Sequence, residues 1–230
     1  MAYRELDETN ILTTVERLKA RISERFPGSG LSKVADELIR IGNEVHETVA
    51  YLGAPDYKVR VPVTIAIVLI VVLAGIAMGI TSQSLEQPGW GTIESGISNI
   101  VFVGIAINFL LSIETKVKRK RALRMIHLLR SIAHVVDMHQ LTKDPERLTS
   151  SMPDTESSPQ RTMTSVQLGR YLDYCSELLS VTSKLAALLV QRFSDALILD
   201  AVNDIETLAT GLSGKIWQKI RLIDRPTAGS

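Results

Sequence analysis

Three of the four histidines, His127, His134 and His139, lie within the segment HLLRSIAHVVDMHQLTKDP. On a helix, His127, Arg130, His134 and Asp137 recur at intervals of three and four and form one polar stripe, while His139 points elsewhere. Imidazole and carboxylate are ligands for divalent metals, and helical bundles build such sites from facing helices. Asp200, Asp204 and Glu206 on the last predicted helix are carboxylates that a bundle can bring beside His134 and Asp137. A metal-dependent activity is therefore one candidate chemistry. The Glu-x-x-His pairs that mark bundle metal sites are missing, and the same stripe also fits a salt-bridged solvated face or a buried network that locks a bundle. The sequence contains no G-x-x-x-x-G-K-S/T loop, no G-x-G-x-x-G, no G-x-S-x-G and no Cys/His zinc spacing. The reading is non-enzymatic, with no cofactor.

The elements that must position these residues are organised around an apolar pair of segments. Residues 61–80 carry no charge over twenty positions, enough at about 1.5 Å per residue to cross roughly 30 Å of hydrocarbon. Residues 96–113 form a second uncharged run. The connection 81–95 holds Glu86 and Glu94 but no Lys or Arg, with Pro88 and Gly89 as turn formers and Trp90 as an interfacial anchor. Lys58 and Arg60 precede the first span, and Lys116, Lys118, Arg119, Lys120, Arg121 and Arg124 follow the second. This asymmetry predicts a two-pass protein with both termini cytoplasmic, in a plasma membrane, taken as a bacterial inner membrane. The basic cluster is the expected contact with anionic lipid head groups, beside its role in fixing topology.

Within the spans, Gly75 and Gly79 make a small-xxx-small pair, and Gly104, Asn108 and Ser112 follow at intervals of four. Packing of one stripe on the other is one explanation. The other is that Asn108 and Ser112 line the axis of an oligomeric pore. Neither span holds an ionisable residue, which argues against a proton-coupled pump.

The flanking chain reads as helices. Ile11, Val15, Leu18, Ile22 and Phe26 share one face over 9–26, and Phe26-Pro27-Gly28-Ser29-Gly30 breaks the helix with a reversal. Val34, Leu38, Ile41, Val45, Thr48 and Leu52 alternate four and three over 31–52. No Pro or Gly interrupts 114–141, so the second span is expected to continue as one long helix. A Ser-, Thr- and Pro-rich linker follows at 142–164. Leu168, Leu172, Cys175, Leu179, Thr182, Ala186, Leu189 and Phe193 form a third seam. Ile198, Val202, Ile205, Ala209, Leu212, Ile216 and Ile220 form a fourth, antiparallel to it. Gly211 and Gly214 suggest close approach of another helix or a kink.

The predicted architecture is an all-α membrane protein, a two-helix transmembrane hairpin with a cytoplasmic helical bundle. Its parts are an N-terminal αα-hairpin over 1–57, the transmembrane hairpin over 58–113, a cytoplasmic extension over 114–141, the linker, a C-terminal helix pair over 165–221 and a disordered tail over 222–230. The 26 Lys and Arg against 25 Asp and Glu give a net charge of +1, so no nucleic acid is expected as partner. The single Cys175 excludes an intramolecular disulfide, as in a reducing cytoplasm. No signal peptide is visible in the first sixty residues, and the first span is expected to serve as the insertion signal. The arrangement resembles that of small bacterial two-span membrane proteins, pore-forming defence effectors among them, in architecture alone. Four seams at heptad-like spacing point to a homo-oligomeric scaffold or adaptor, with an oligomeric pore as the alternative.

Overall fold

The structure is a computed structural model and describes residues 5–83, 90–143, 145, 156 and 163–223. Glu86, Pro88 and Gly89 of the expected connection, most of the linker and the tail from Asp224 lie outside the described residues. Among the described residues all regular structure is helical: α1 (Glu8–Arg25), α2 (Gly30–Gly53), α3 (Tyr57–Gln83), α4 (Trp90–Leu141), α5 (Ser165–Arg192) and α6 (Ala196–Ile223). The chain divides into two compact units, Met1–Gly53 with Arg121–Ser230, and Ala54–Lys120.

The first unit is a helical bundle. Asp7 caps α1 by accepting from the Asn10 N–H at 3.1 Å. The turn after α1 uses Gly28 at φ 67°, a backbone conformation that favours glycine. Ser29 Oγ then accepts from the Ser32 N–H at 3.2 Å to start α2. Thr164 and Gln167 form a reciprocal capping box at the start of α5. At the α5–α6 junction, Asp195 Oδ1 accepts from the Leu197 N–H at 3.1 Å.

Nearly every predicted seam residue is buried in a single core, to which α4 adds Ala122, Met125, Ile126, Leu129, Ile132, Ala133 and Val136. The N-terminal pair and the C-terminal pair thus share one interior. Seam positions such as Leu18, Leu38, Leu172 and Ile205 are 0% exposed. Each such burial contributes about 1.5–3 kcal/mol relative to exposure. The heptad-like spacing that suggested contacts between copies is satisfied within one chain. Of the two roles expected of Gly211 and Gly214, close approach of another helix is not met, because open space surrounds the position of a Cβ at each.

The second unit contains α3 and the first part of α4. The helices are longer than the apolar runs: α3 extends to Gln83, and α4 begins at Trp90 rather than at residue 96. As expected, α4 runs unbroken through the basic cluster, 52 residues in all. Partly buried positions recur at three and four on each helix: Val63, Ala66, Ile67, Ile70 and Ala74 on α3, and Val103, Ala106, Ile107, Leu110 and Ile113 on α4. These are the faces the two helices turn to each other. Other large side chains point outward, with Ile65, Leu69, Ile105 and Leu111 between 56% and 63% exposed and Phe102 at 68%. Two helices among the described residues are long and apolar enough to cross a membrane.

Candidate functional site

The densest polar arrangement lies at the edge of the apolar segments, where the start of α3 meets α4. Glu114, directly after the second apolar run, accepts from the Asp56 N–H at 3.2 Å and from Arg60 Nε at 3.2 Å. It also pairs with Lys118 Nζ at 3.1 Å, one turn along α4. Lys118 in turn donates to the Ala54 carbonyl at 2.8 Å. Both side chains are largely enclosed, at 18% and 11% exposure. The hydrogen bond from Lys118, then the Asp56 N–H and the charges of Lys118 and Arg60, hold the Glu114 carboxyl below the usual carboxylate range. Burial opposes them and does not prevail. Asp56 Oδ1 also accepts from the Lys58 N–H at 3.1 Å, which starts α3. Ala54, Asp56, Arg60, Glu114 and Lys118 thus form a charged clasp, and it ties the first turn of α3 to α4. The clasp escaped the sequence reading, although an i,i+4 Glu/Lys pair at the end of an apolar run was its signal.

The clasp changes the account of the basic cluster. Lys118, expected at lipid head groups, is 9% exposed and bonded inward. Arg121 lies over the Tyr51 ring at 4.5 Å, and Lys116 over the exposed Phe109 ring at 4.5 Å. Arg119 is partly buried, whereas Lys116, Lys120 and Arg124 are exposed.

The small and polar residues of the spans do not pack on each other. Gly75, Gly79 and Gly104 have no atom within 4 Å of a Cβ placed on them. Asn108 is exposed, and Ser112 Oγ donates to the Phe109 carbonyl of its own helix at 2.7 Å. Within the hairpin the partly buried positions are those of the Val63–Ala74 and Val103–Ile113 stripes.

The His/Asp stripe occupies the edge of the bundle. His134 and Asp200 are exposed, Arg130 pairs with Asp204 at 3.2 Å, and Asp137 accepts from Gln140 Nε2 at 2.6 Å. Glu206 is exposed as well. Among the described residues no three His, Cys, Asp or Glu side chains come together to hold a metal ion. Arg130 engages Asp204 and Gln140 engages Asp137, while Asp200 and Glu206 stand apart from them in no cluster with His134.

Where α4 ends, Lys219 Nζ donates to the carbonyls of Gln140 at 2.8 Å and Lys143 at 3.2 Å, a cation at the negative end of the helix. His139, set apart from the stripe as predicted, packs its ring on the first residue of α2, so that a Cβ on Gly30 would lie 2.2 Å from its Cε1. Gly30 is therefore needed for close approach rather than for a turn. Beside this end, Lys143 Nζ sits 5.4 Å over the Tyr171 ring, which meets Phe26 edge-on at 5.4 Å. Burial pushes the Cys175 thiol up to about 12, with Lys219 and Lys143 pulling weakly the other way. Such a thiol is a core residue and not a nucleophile. An open groove between α1 and α5, lined by Leu6, Asp7, Asn10, Thr14, Ser180 and Lys184, gathers no convergent set of reactive groups.

Set beside known proteins, the chain matches no family model, no curated protein and no solved structure. Its function has to be argued from its own residues.

Proposed function

We propose that this chain is a non-enzymatic integral membrane protein, anchored by α3 and the first part of α4 as a two-pass hairpin, and acting as a homo-oligomeric scaffold or adaptor. The observation that carries the reading is the outward face of the hairpin. Large apolar side chains over 61–76 and 97–111 are half to two-thirds exposed, in a chain whose bundle buries the same residue types almost completely. In water each of those side chains would forgo about 1.5–3 kcal/mol, whereas in hydrocarbon that cost vanishes. The Lys and Arg asymmetry around the spans supports cytoplasmic termini. Exposed Lys116, Lys120 and Arg124 support contact with anionic head groups at about 1 kcal/mol per charge. Lys118 is withdrawn from that role by the clasp. With the bundle seams closed inside one chain, assembly falls to the outer face of the hairpin.

Native mass spectrometry of the protein released from nanodiscs tests this reading. Two or more copies, without metal and with retained anionic lipid, is the expected result; a monomer would overturn the scaffold. The exposed Asn108 favours a second reading, a pore lined by α4, because a polar group facing outward from a span needs a polar environment. Reconstituted protein would then conduct, and Asn108→Leu would change the conductance. Bilayers silent across lipids and voltages would end that reading.

A further inference from the structure

Along the outward side of α4 the residues Ile97, Val101, Gly104, Asn108, Leu111 and Thr115 follow at intervals of four, three, four, three and four. That is the spacing of a two-stranded coiled-coil seam. All six are exposed or, at Ile97, Val101 and Leu111, 53–62% exposed. The seam lies roughly 140° round the helix from the stripe turned to α3, at 3.6 residues per turn. The hairpin therefore leaves it without a partner.

We propose that this seam is the contact between two copies of the chain, packed parallel about a two-fold axis with Asn108 facing Asn108. The proposal rests on the membrane-scaffold reading above and names its interface. Three observations choose a second copy as the occupant. Asn108 makes no hydrogen bond among the described residues, and a primary amide left in hydrocarbon is costly. An amide both donates and accepts, so two related by a two-fold axis satisfy each other. A lipid tail offers neither function. One turn earlier, open space around Gly104 lets a second helix come close. A single Asn at an a-type position, as here with Gly104 and Leu111 at d-type positions, also fixes register and favours two strands. Copies inserted with the same topology run parallel, as such a seam requires. The seam ends where Lys118 enters the clasp, so pairing is confined to the apolar length of α4. A two-stranded pair encloses no lumen.

The test uses the full-length protein in its membranes, with single cysteines at Val101, Gly104 and Leu111 on the seam and at Val103, Ala106 and Ile107 on the face turned to α3. Cys175 stays in place, since it is fully buried and cannot reach a second copy. Copper-phenanthroline oxidation is expected to give disulfide dimers at the three seam positions at least five-fold above the other three. Asn108→Leu is expected to weaken dimerisation about 3- to 30-fold. Uniform or absent crosslinking, or crosslinking strongest at a cysteine in place of Gly75, overturns the interface. If native mass spectrometry then still shows oligomers, the scaffold reading survives without it; monomers remove both.

Discussion

The two units of this chain use similar residues to opposite ends. In the bundle, Leu, Ile and Val at three-and-four spacing point inward and are buried, and charged residues cover the outside. In the hairpin the inward stripes mix Val, Ile and Leu with Ala66, Ala74 and Ala106 and are only partly buried, while side chains as large as Ile65, Leu69, Phe102 and Ile105 face out. A bundle in water is held by removing apolar surface from solvent, whereas a helix pair in lipid gains little that way and relies on close contact and polar fastening. The clasp at Glu114 is such a fastening, placed where the apolar length ends.

The largest test of that contrast compares two leucines. Leu179→Ala in the bundle, at 0% exposure, is expected to lower unfolding stability by about 2–5 kcal/mol, through lost transfer energy and the cavity left behind. Leu69→Ala in the hairpin, 56% exposed, is expected to change it by less than about 0.5 kcal/mol. Denaturant titrations in detergent micelles give both numbers. Equal losses would mean that the outward face of the hairpin is packed in the native state.

Next in size is the clasp. Glu114→Ala leaves the enclosed Lys118 ammonium with the Ala54 carbonyl alone and removes the acceptor that Glu114 offers the Asp56 N–H, an expected loss of about 1–3 kcal/mol. Its acid dependence has a definite sign. A carboxyl whose folded pKa is lowered stabilises the fold above its unfolded value of about 4.3 and loses that effect as pH falls through the folded value. Spin labels at Lys58→Cys and Thr115→Cys should therefore report one narrow distance at pH 7 and at pH 5, broadening only below the ordinary carboxylate range. Glu114→Gln should broaden it at every pH. A distance that loosens already near pH 5 would show that the clasp does not set the mouth of the hairpin.

Inside the bundle a smaller effect follows from the contact of His139 with Gly30. Gly30→Ala is expected to cost about 1 kcal/mol, because the imidazole must turn away from the new Cβ. In a His139→Ala background the same change should be neutral or stabilising, since Gly30 sits in helix and alanine loses less backbone entropy there. Additive effects in this double-mutant cycle would show that the two residues do not touch in solution.

The helices were legible in the sequence because their signal is local. Seam spacing, Pro27 and Gly28 as a break and the unbroken run from 114 to 141 each needed only neighbouring residues. The partner of each seam was not legible, since a heptad-like stripe looks the same whether it closes on its own chain or on another copy. The clasp joins residues 54–60 to 114–118, and Lys219 meets Gln140 across a similar gap in sequence; no periodicity reports contacts of that kind. Asn108 and Gly104 were singled out by type, yet which side of α4 they face depends on where α3 lies. The His/Asp stripe lies on one face as expected, and of the roles its spacing allows, the salt-bridged face is the one that Arg130 with Asp204 fits; that Arg130 competes with any metal for Asp204 depends on how α4 packs against α6, which spacing does not report.

That competition supplies the smallest prediction. Arg130 and Asp204 meet at 3.2 Å with their side chains 43% and 56% exposed, so the pair sits in water, where side-chain ordering and ionic screening offset most of the attraction. Asp204→Asn is expected to change stability by less than about 1 kcal/mol, and by less still at high salt. A loss of several kcal/mol, insensitive to salt, would mean that this edge is covered in the native protein rather than solvated. A small, salt-dependent loss is the mark of a solvated face and leaves the bundle's stability in its buried interior.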